Sequence, residues 1–161
     1  MAGRKDADIT VVEFFDYRCG YCKKVLPTLQ SLMEADPNVR VVFKELPILG
    51  PDSLRGALAA QAVWNIAPEK YLPFHVALMQ TRGGIDESLI VETARKVGVD
   101  PDKLAAAMDD PSVKAKIESN LTLAQKLQIN GTPAFVIGDK LLPGAVDLAT
   151  IKETIADARS R

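Results

Sequence analysis

A run of β-branched and aromatic residues, Ile9 to Phe15, leads through Asp16-Tyr17-Arg18 into Cys19-Gly20-Tyr21-Cys22, and an amphipathic stretch follows at once. Val25, Leu26, Leu29, Leu32 and Met33 recur at helical spacing, interrupted by Pro27 and stopped near Asp36-Pro37. Val39 to Glu45 then reads as a second strand. Strand, cysteine pair, helix and strand in so few residues constrain the chain to a βαβ unit. Its strands run parallel, with a right-handed crossover.

From Asp52 to Gln128 the pattern is helical only. Leu54 to Asn65 is rich in alanine, and Glu69 to Gln80 follows Pro68. Asp86 is suited to cap a helix that ends at Val97-Gly98, and Asp100-Pro101 and Asp110-Pro111 each place a capping carboxylate before a first-turn proline. The last of these helices carries Val113, Ile117, Leu121, Ala124 and Gln128 on one stripe. Strand composition returns at Ala134 to Ile137. Gly138-Asp139 marks a hairpin to Lys140-Leu141-Leu142, Pro143-Gly144 marks a turn, and Asp147 caps a closing helix with Leu148, Ile151 and Ile155 inward. A helical block of that size is no loop, so the expected architecture is α/β: residues 1–51 and 129–161 form the frame and 52–128 an inserted all-helical subdomain.

Composition removes several classes of function. The chain has 161 residues, 47% of them apolar, 20 Lys plus Arg against 21 Asp plus Glu, and a net charge of −1. Nothing in that balance attracts nucleic acid or an anionic membrane. No apolar run approaches the ~20 residues that span a bilayer. Two cysteines and one histidine make neither a disulfide scaffold nor a four-ligand zinc site, so no metal is expected. The polar start Met1-Ala2-Gly3-Arg4-Lys5-Asp6 carries no secretory signal, which suits a cytosolic protein or the trimmed form of an exported one.

Two cysteines at a strand-to-helix junction suggest redox work, with a structural pair or half of a metal site as the alternatives. The thiolate is the attacking species, and an ordinary thiol at pKa about 8.5 is mostly protonated near neutrality. Cys19, at the amino end of the helix, is placed where unpaired N–H groups and the helix dipole favour an anion. Cys22 lies one turn inside. Cys19 is therefore the attacking thiol and Cys22 the resolving one. Glu13 interrupts an apolar strand six residues before Cys19. It is either a solvated edge residue or a buried carboxylate that relays a proton to Cys22. Thr132-Pro133 is either a plain turn or a cis-proline turn that exposes the Thr132 backbone to an extended client segment. Tyr21, between the cysteines, is expected to be exposed beside the client. His75, Trp64 and Tyr71 read as core residues, and Arg18, Lys23 and Lys24 as solvated charges that add slightly to thiolate stability.

These residues resemble a known family. Phe14-Phe15-Asp16-Tyr17-Arg18-Cys19-Gly20-Tyr21-Cys22-Lys23-Lys24, Pro27, and Gly131-Thr132-Pro133-Ala134-Phe135 beyond a helical insert are similar to the DsbA-like thiol-disulfide oxidoreductases of the thioredoxin superfamily. The resemblance covers essentially the whole chain. It implies a thioredoxin fold with an inserted all-helical subdomain, a redox-active Cys19–Cys22 disulfide and a cis Pro133 facing it. It implies no organic cofactor. It also places Glu13 at the superfamily's buried acid, with Lys44 as a candidate partner in the proton relay. Implied partners are unfolded or misoxidised exported proteins and a membrane redox protein of DsbB or DsbD type, in a bacterial periplasm or cell envelope.

Gly20-Tyr21 and Thr132 depart from the strongly oxidising members, which resemble Pro-His between the cysteines and Val before the cis proline. They are similar instead to the disulfide isomerases and to the suppressor-of-copper-sensitivity branch. Without a histidine beside Cys19 the thiolate is less favoured, and the potential is expected between roughly −120 and −270 mV. The expected activity is isomerase or reductase, with a DsbA-type dithiol oxidase as runner-up and a redox-inactive chaperone or binding module as the rival from another class. About eight residues before the first strand are too few to build an oligomerisation segment, so a homo-oligomer is expected only if an amino-terminal segment is missing.

Overall fold

The computed structural model describes all 161 residues. Its centre is a four-stranded sheet in the order β2-β1-β3-β4, where β1 is Ile9–Phe15, β2 Val39–Glu45, β3 Ala134–Ile137 and β4 Lys140–Pro143. β1 and β2 are parallel, joined through helix α1 (Gly20–Ala35), whereas β3 runs antiparallel to both β1 and β4. The expected βαβ unit is thus present, as is the closing hairpin. Ala2 extends the sheet by pairing with Val41 on the outer edge of β2.

Five helices separate β2 from β3: α2 (Pro51–Ile66), α3 (Tyr71–Met79), α4 (Glu87–Val97), α5 (Pro101–Met108) and α6 (Pro111–Lys126); α7 (Leu148–Arg159) closes the chain. Four aspartates cap as the sequence suggests. Asp86, Asp100, Asp110 and Asp147 each accept a backbone N–H from the first turn that follows. Gly98 ends α4 in the left-handed conformation at φ 82°, which a side chain would strain.

Two details differ from the sequence reading. The stretch expected as one helix over Glu69–Gln80 is a 3₁₀ turn at Pro68–Lys70 followed by α3, because Pro73 has no N–H and belongs in a first turn. On α6 the buried positions are Val113, Ile117, Asn120 and Ala124, while Leu121 is exposed and Gln128 lies past the helix end at φ 57°. Asn120 turns inward because its side-chain amide donates to the Glu45 carbonyl at 3.1 Å. That bond satisfies a buried acceptor, which an apolar stripe could not do.

The sheet has two differently packed faces. Val11, Phe15, Val41, Phe43, Phe135 and Ile137 join Leu29, Leu32, Phe74, Ile151 and Ile155 in the main core. Phe14 and Ala134 point the other way and pack with Leu46 and Ala124. This parity decides which side chains can reach the cysteines.

Candidate active site

β1 ends at the buried Phe15, Asp16 and Tyr17 follow it and are buried too, and α1 begins directly after Cys19. Cys19 is the N-cap of α1, with extended backbone (φ −79°, ψ 117°), and its Sγ accepts the Cys22 N–H at 3.2 Å. A sulfur there lies against donors that have no intrahelical partner. Both cysteines are thiols. Cys19 keeps 7% of its surface exposed and Cys22 none.

The electrostatics divide the pair. The hydrogen bond from Cys22 lowers the Cys19 pKa to about 6, against the opposing effect of partial burial and with further help from Thr132 and the first-turn amides. The same contact raises the Cys22 pKa well above the thiol range, and burial adds to it. One thiol is an anion near neutrality and the other keeps its proton, the asymmetry that an attacking and a resolving sulfur would need.

The Thr132–Pro133 peptide is cis, and the Thr132 carbonyl lies 3.4 Å from Cys19 Sγ as acceptor of the thiol. Pro133 is buried, Thr132 half-buried and Tyr21 65% exposed. The structure therefore brings Cys19, Cys22, Thr132 and Pro133 together, with Tyr21 on the rim.

Glu13 is not a solvated edge residue. It lies on an inner strand between Phe43 and Phe135, its Oε2 has no hydrogen-bond partner, and burial holds its carboxyl well above the usual carboxylate range, with the charge on Cys19 adding to the shift. Lys44 does not meet it. Lys44 is paired with Phe14, so it occupies the opposite face of the sheet, where burial and Lys116 of α6 lower its pKa. The expected Glu13–Lys44 relay is corrected on that ground: adjacent strand positions project to opposite faces.

Three features escaped the sequence reading. Asp16 is 2% exposed and accepts four hydrogen bonds: Oδ1 from the Arg18 N–H and the Ser53 hydroxyl, Oδ2 from the Ile48 and Leu49 amides. It ties the cysteine loop to the segment that starts α2. His75, a core residue as expected, also accepts or donates at Nδ1 with the Tyr17 hydroxyl at 2.9 Å, and it is ringed by Phe15, Phe43 and Tyr71. Burial lowers its pKa to about 3, so it is neutral. Arg18, exposed as expected, and half-buried Lys23 also donate to carbonyl oxygens at the end of α3 and in the connection that follows it. Only the direct Asp-X-X-Cys adjacency could have hinted at Asp16; partners 58 and 56 positions away left no local signal.

No group of three or more His, Cys, Asp or Glu side chains is placed to hold a metal ion, and no helix is long and apolar enough to cross a membrane.

Known proteins share this arrangement. The DSBA-like thioredoxin domain family matches residues 10–156. Disulfide bond formation protein D of Bacillus subtilis is 29% identical over 96% of this chain and 74% of its own length. A thioredoxin-like oxidoreductase from Silicibacter pomeroyi superposes with a TM-score of 0.94 at 44% identity, covering 99% of this chain and 91% of that one. The catalytic domain of Proteus mirabilis ScsC gives 0.89 at 34% identity, covering 99% and 88%. The fold is thioredoxin-like with the helices between β2 and β3 as its insertion, and the Cys19–Cys22 pair stands at the junction of β1 and α1. The chain belongs to the DsbA-like family of thiol-disulfide oxidoreductases.

Proposed function

We propose that this protein reshuffles or reduces disulfides in exported proteins, as an isomerase or reductase rather than as a strong dithiol oxidase. The observation that carries the reading is the Cys19 pKa of about 6, set by the thiol hydrogen bond with Cys22, by Thr132 and by the first-turn amides, with no cation bonded to the sulfur. That value lies nearer to a thioredoxin thiol at about 7 than to the about 3.5 of the strongly oxidising DsbA. A less stabilised thiolate makes the dithiol less favoured and the disulfide a weaker oxidant.

The steps follow from the geometry. The Cys19 thiolate attacks one sulfur of a client disulfide, forming a Cys19–client bond and releasing the other client sulfur as a thiolate. If a second client thiolate attacks that bond, Cys19 is regenerated and the client has exchanged disulfides with no net electron transfer. If Cys22 attacks Cys19 Sγ instead, the client leaves reduced by two electrons and Cys19–Cys22 closes. Cys22 must first lose its proton, and Glu13 is the buried carboxylate assigned to take it. The client segment lies extended along Thr132, pairing with its backbone, and Tyr21 packs against it. The setting assigned is the periplasm or cell envelope, with a membrane redox protein of DsbB or DsbD type restoring the pair.

Reactivation of scrambled ribonuclease tests the assignment. Wild type is expected to restore activity in a glutathione buffer, and Cys19→Ser to abolish it. Equal protection of clients by wild type and Cys19→Ser, with no reactivation by either, would instead mark a redox-inactive chaperone on this fold.

A further inference from the structure

The connection between α3 and α4, Gln80 to Asp86, has no regular structure, yet four side chains pin it beside the cysteine pair. Arg18 donates to the Gly83 carbonyl at 2.6 Å, and Lys23 Nζ donates to the carbonyls of Met79 and Thr81 at 3.0 and 2.8 Å. Asp52 accepts the Ile85 N–H at 2.9 Å, and Arg55 donates to the Ile85 carbonyl at 2.5 Å. A Cβ on Gly84 would come within 2.9 Å of Asp52 Oδ2, so the chain lies flush against the first turn of α2. Arg18 directly precedes Cys19 and Lys23 directly follows Cys22, which makes the connection a wall of the cysteine site. The uncharged run Asn130-Gly131-Thr132-Pro133 forms another part of its surround.

Three cations on and beside this wall form no ion pair. The Lys23 ammonium meets only carbonyl oxygens, Lys24 lies 5.4 Å from the centre of the Tyr21 ring, and exposed Arg82 joins none of the ion pairs. The positive end of the α1 dipole adds to them. Asp16 is buried under its four hydrogen bonds, Asp52 is shared by Arg18 and Arg55, Asp86 caps α4, and exposed Glu87 stands in the first turn of α4, past the connection. Between Asp16 and Lys24 and between Met79 and Ile85 the chain carries Arg18, Lys23, Lys24 and Arg82 against the single carboxylate of Asp16, a local positive excess beside the cysteine pair in a chain of net charge −1.

We propose that this cationic wall, with Arg82 as its outermost charge, selects client segments that carry acidic side chains beside their reactive cysteine. The inference rests on the thiol-disulfide exchange reading. An extended segment crossing from Thr132 over Cys19 brings its flanking residues within a Debye length of Lys23, Lys24 and Arg82, where opposite charge speeds encounter and like charge slows it.

The test uses symmetric disulfide dimers of two blocked peptides, one with Asp and one with Lys on both sides of a single Cys. Reduced protein attacks one peptide sulfur through Cys19, releasing a peptide thiolate. Cys22 then displaces the second peptide as a thiol and closes the Cys19–Cys22 bond, so two electrons pass from the dithiol to the peptide disulfide. Correcting each rate for the same peptides' exchange with dithiothreitol removes their intrinsic reactivity. At low salt the acidic dimer is expected to react faster by about tenfold, with the ratio falling toward one at high salt. Arg82→Glu should lower the low-salt ratio several-fold. Lys152→Glu should leave it unchanged, since Lys152 sits with Ala35 and Asp36 at the far end of α1. Equal rates for the two dimers at low salt, or a ratio that Arg82→Glu and Lys152→Glu alter alike, would overturn the proposal. Absence of exchange with either peptide would instead refute the activity on which it rests.

Discussion

The amide of Cys22 donates to the sulfur of Cys19 across 3.2 Å, so the residue proposed to resolve the mixed disulfide also helps to hold its partner as an anion. With the Cys22 thiol as the largest cause of the Cys19 shift, the two sulfurs titrate as a pair whose first proton leaves near pH 6. Alkylation of Cys19 by iodoacetamide should therefore rise with a midpoint near pH 6. In Cys22→Ala the midpoint should move up toward that of an ordinary thiol. The sign for stability follows: a depressed thiol pKa stabilises the reduced protein above the unfolded thiol's pKa, and that gain disappears as pH falls through about 6. Denaturant titration of the reduced protein at pH 5 and pH 8.5, with Cys19→Ala as reference, reads it directly.

Glu13→Gln keeps the size of the side chain and removes its proton chemistry. Single-turnover release of a peptide from the Cys19 mixed disulfide should slow by on the order of tenfold or more, with the attack step by Cys19 much less affected. Burial raises the Glu13 pKa, so wild type binds this proton more tightly when folded and loses stability as pH rises from the unfolded carboxyl's range toward the folded one. Glu13→Gln should be more stable than wild type at pH 8, by a margin that shrinks at pH 5. An unchanged release rate would remove Glu13 from the mechanism.

Lys44→Met should leave the same release step within about twofold of wild type, because Lys44 and Glu13 project from opposite faces of the sheet. A loss comparable to that of Glu13→Gln would contradict this placement.

Asp16→Ala removes an acceptor from three amides and one hydroxyl at once. Leaving such buried donors unpaired should cost about 3 kcal/mol in urea denaturation at pH 7. The Cys19 titration midpoint should also rise, since the loop that sets the N-cap geometry is no longer tied to Ile48 and Leu49.

His75 has a folded pKa of about 3 against an unfolded value near 6.5. Its neutral form is the one that packs, so the stability it protects is complete above pH 6.5 and drains away as pH falls toward 3. His75→Gln cannot take up that proton. Its stability relative to wild type should climb as pH falls from 7 to 4, at up to about 1.4 kcal/mol per pH unit, as read by urea midpoints.

The elements were legible where short-range chemistry decides them. Ile9–Phe15 and Val39–Glu45 are strands because β-branched residues fit a buried pleat, and the four aspartate caps follow from the donors a helix start leaves unpaired. The cysteine pair was legible for the same reason, since a strand end and a helix start fix where Cys19 must stand. What the sequence hid depends on register and distance. Whether Lys44 meets Glu13 turns on a one-residue offset between two strands, and a shift of one exchanges faces. The stripe expected on α6 ran through Leu121, whereas the Glu45 carbonyl, 75 positions away from Asn120, turns Asn120 inward in its place. Lys23 looked solvated because the carbonyls that hold it belong to another helix and its following turn.

Cys19 and Cys22 are proposed to form a redox pair of intermediate strength, and the equilibrium constant with glutathione measures it. With Cys19 near 6 and no histidine beside it, the reduction potential should lie between roughly −120 and −270 mV, well below the oxidising end of that range. A potential at or above about −120 mV would contradict the account and mark the protein as a dithiol oxidase.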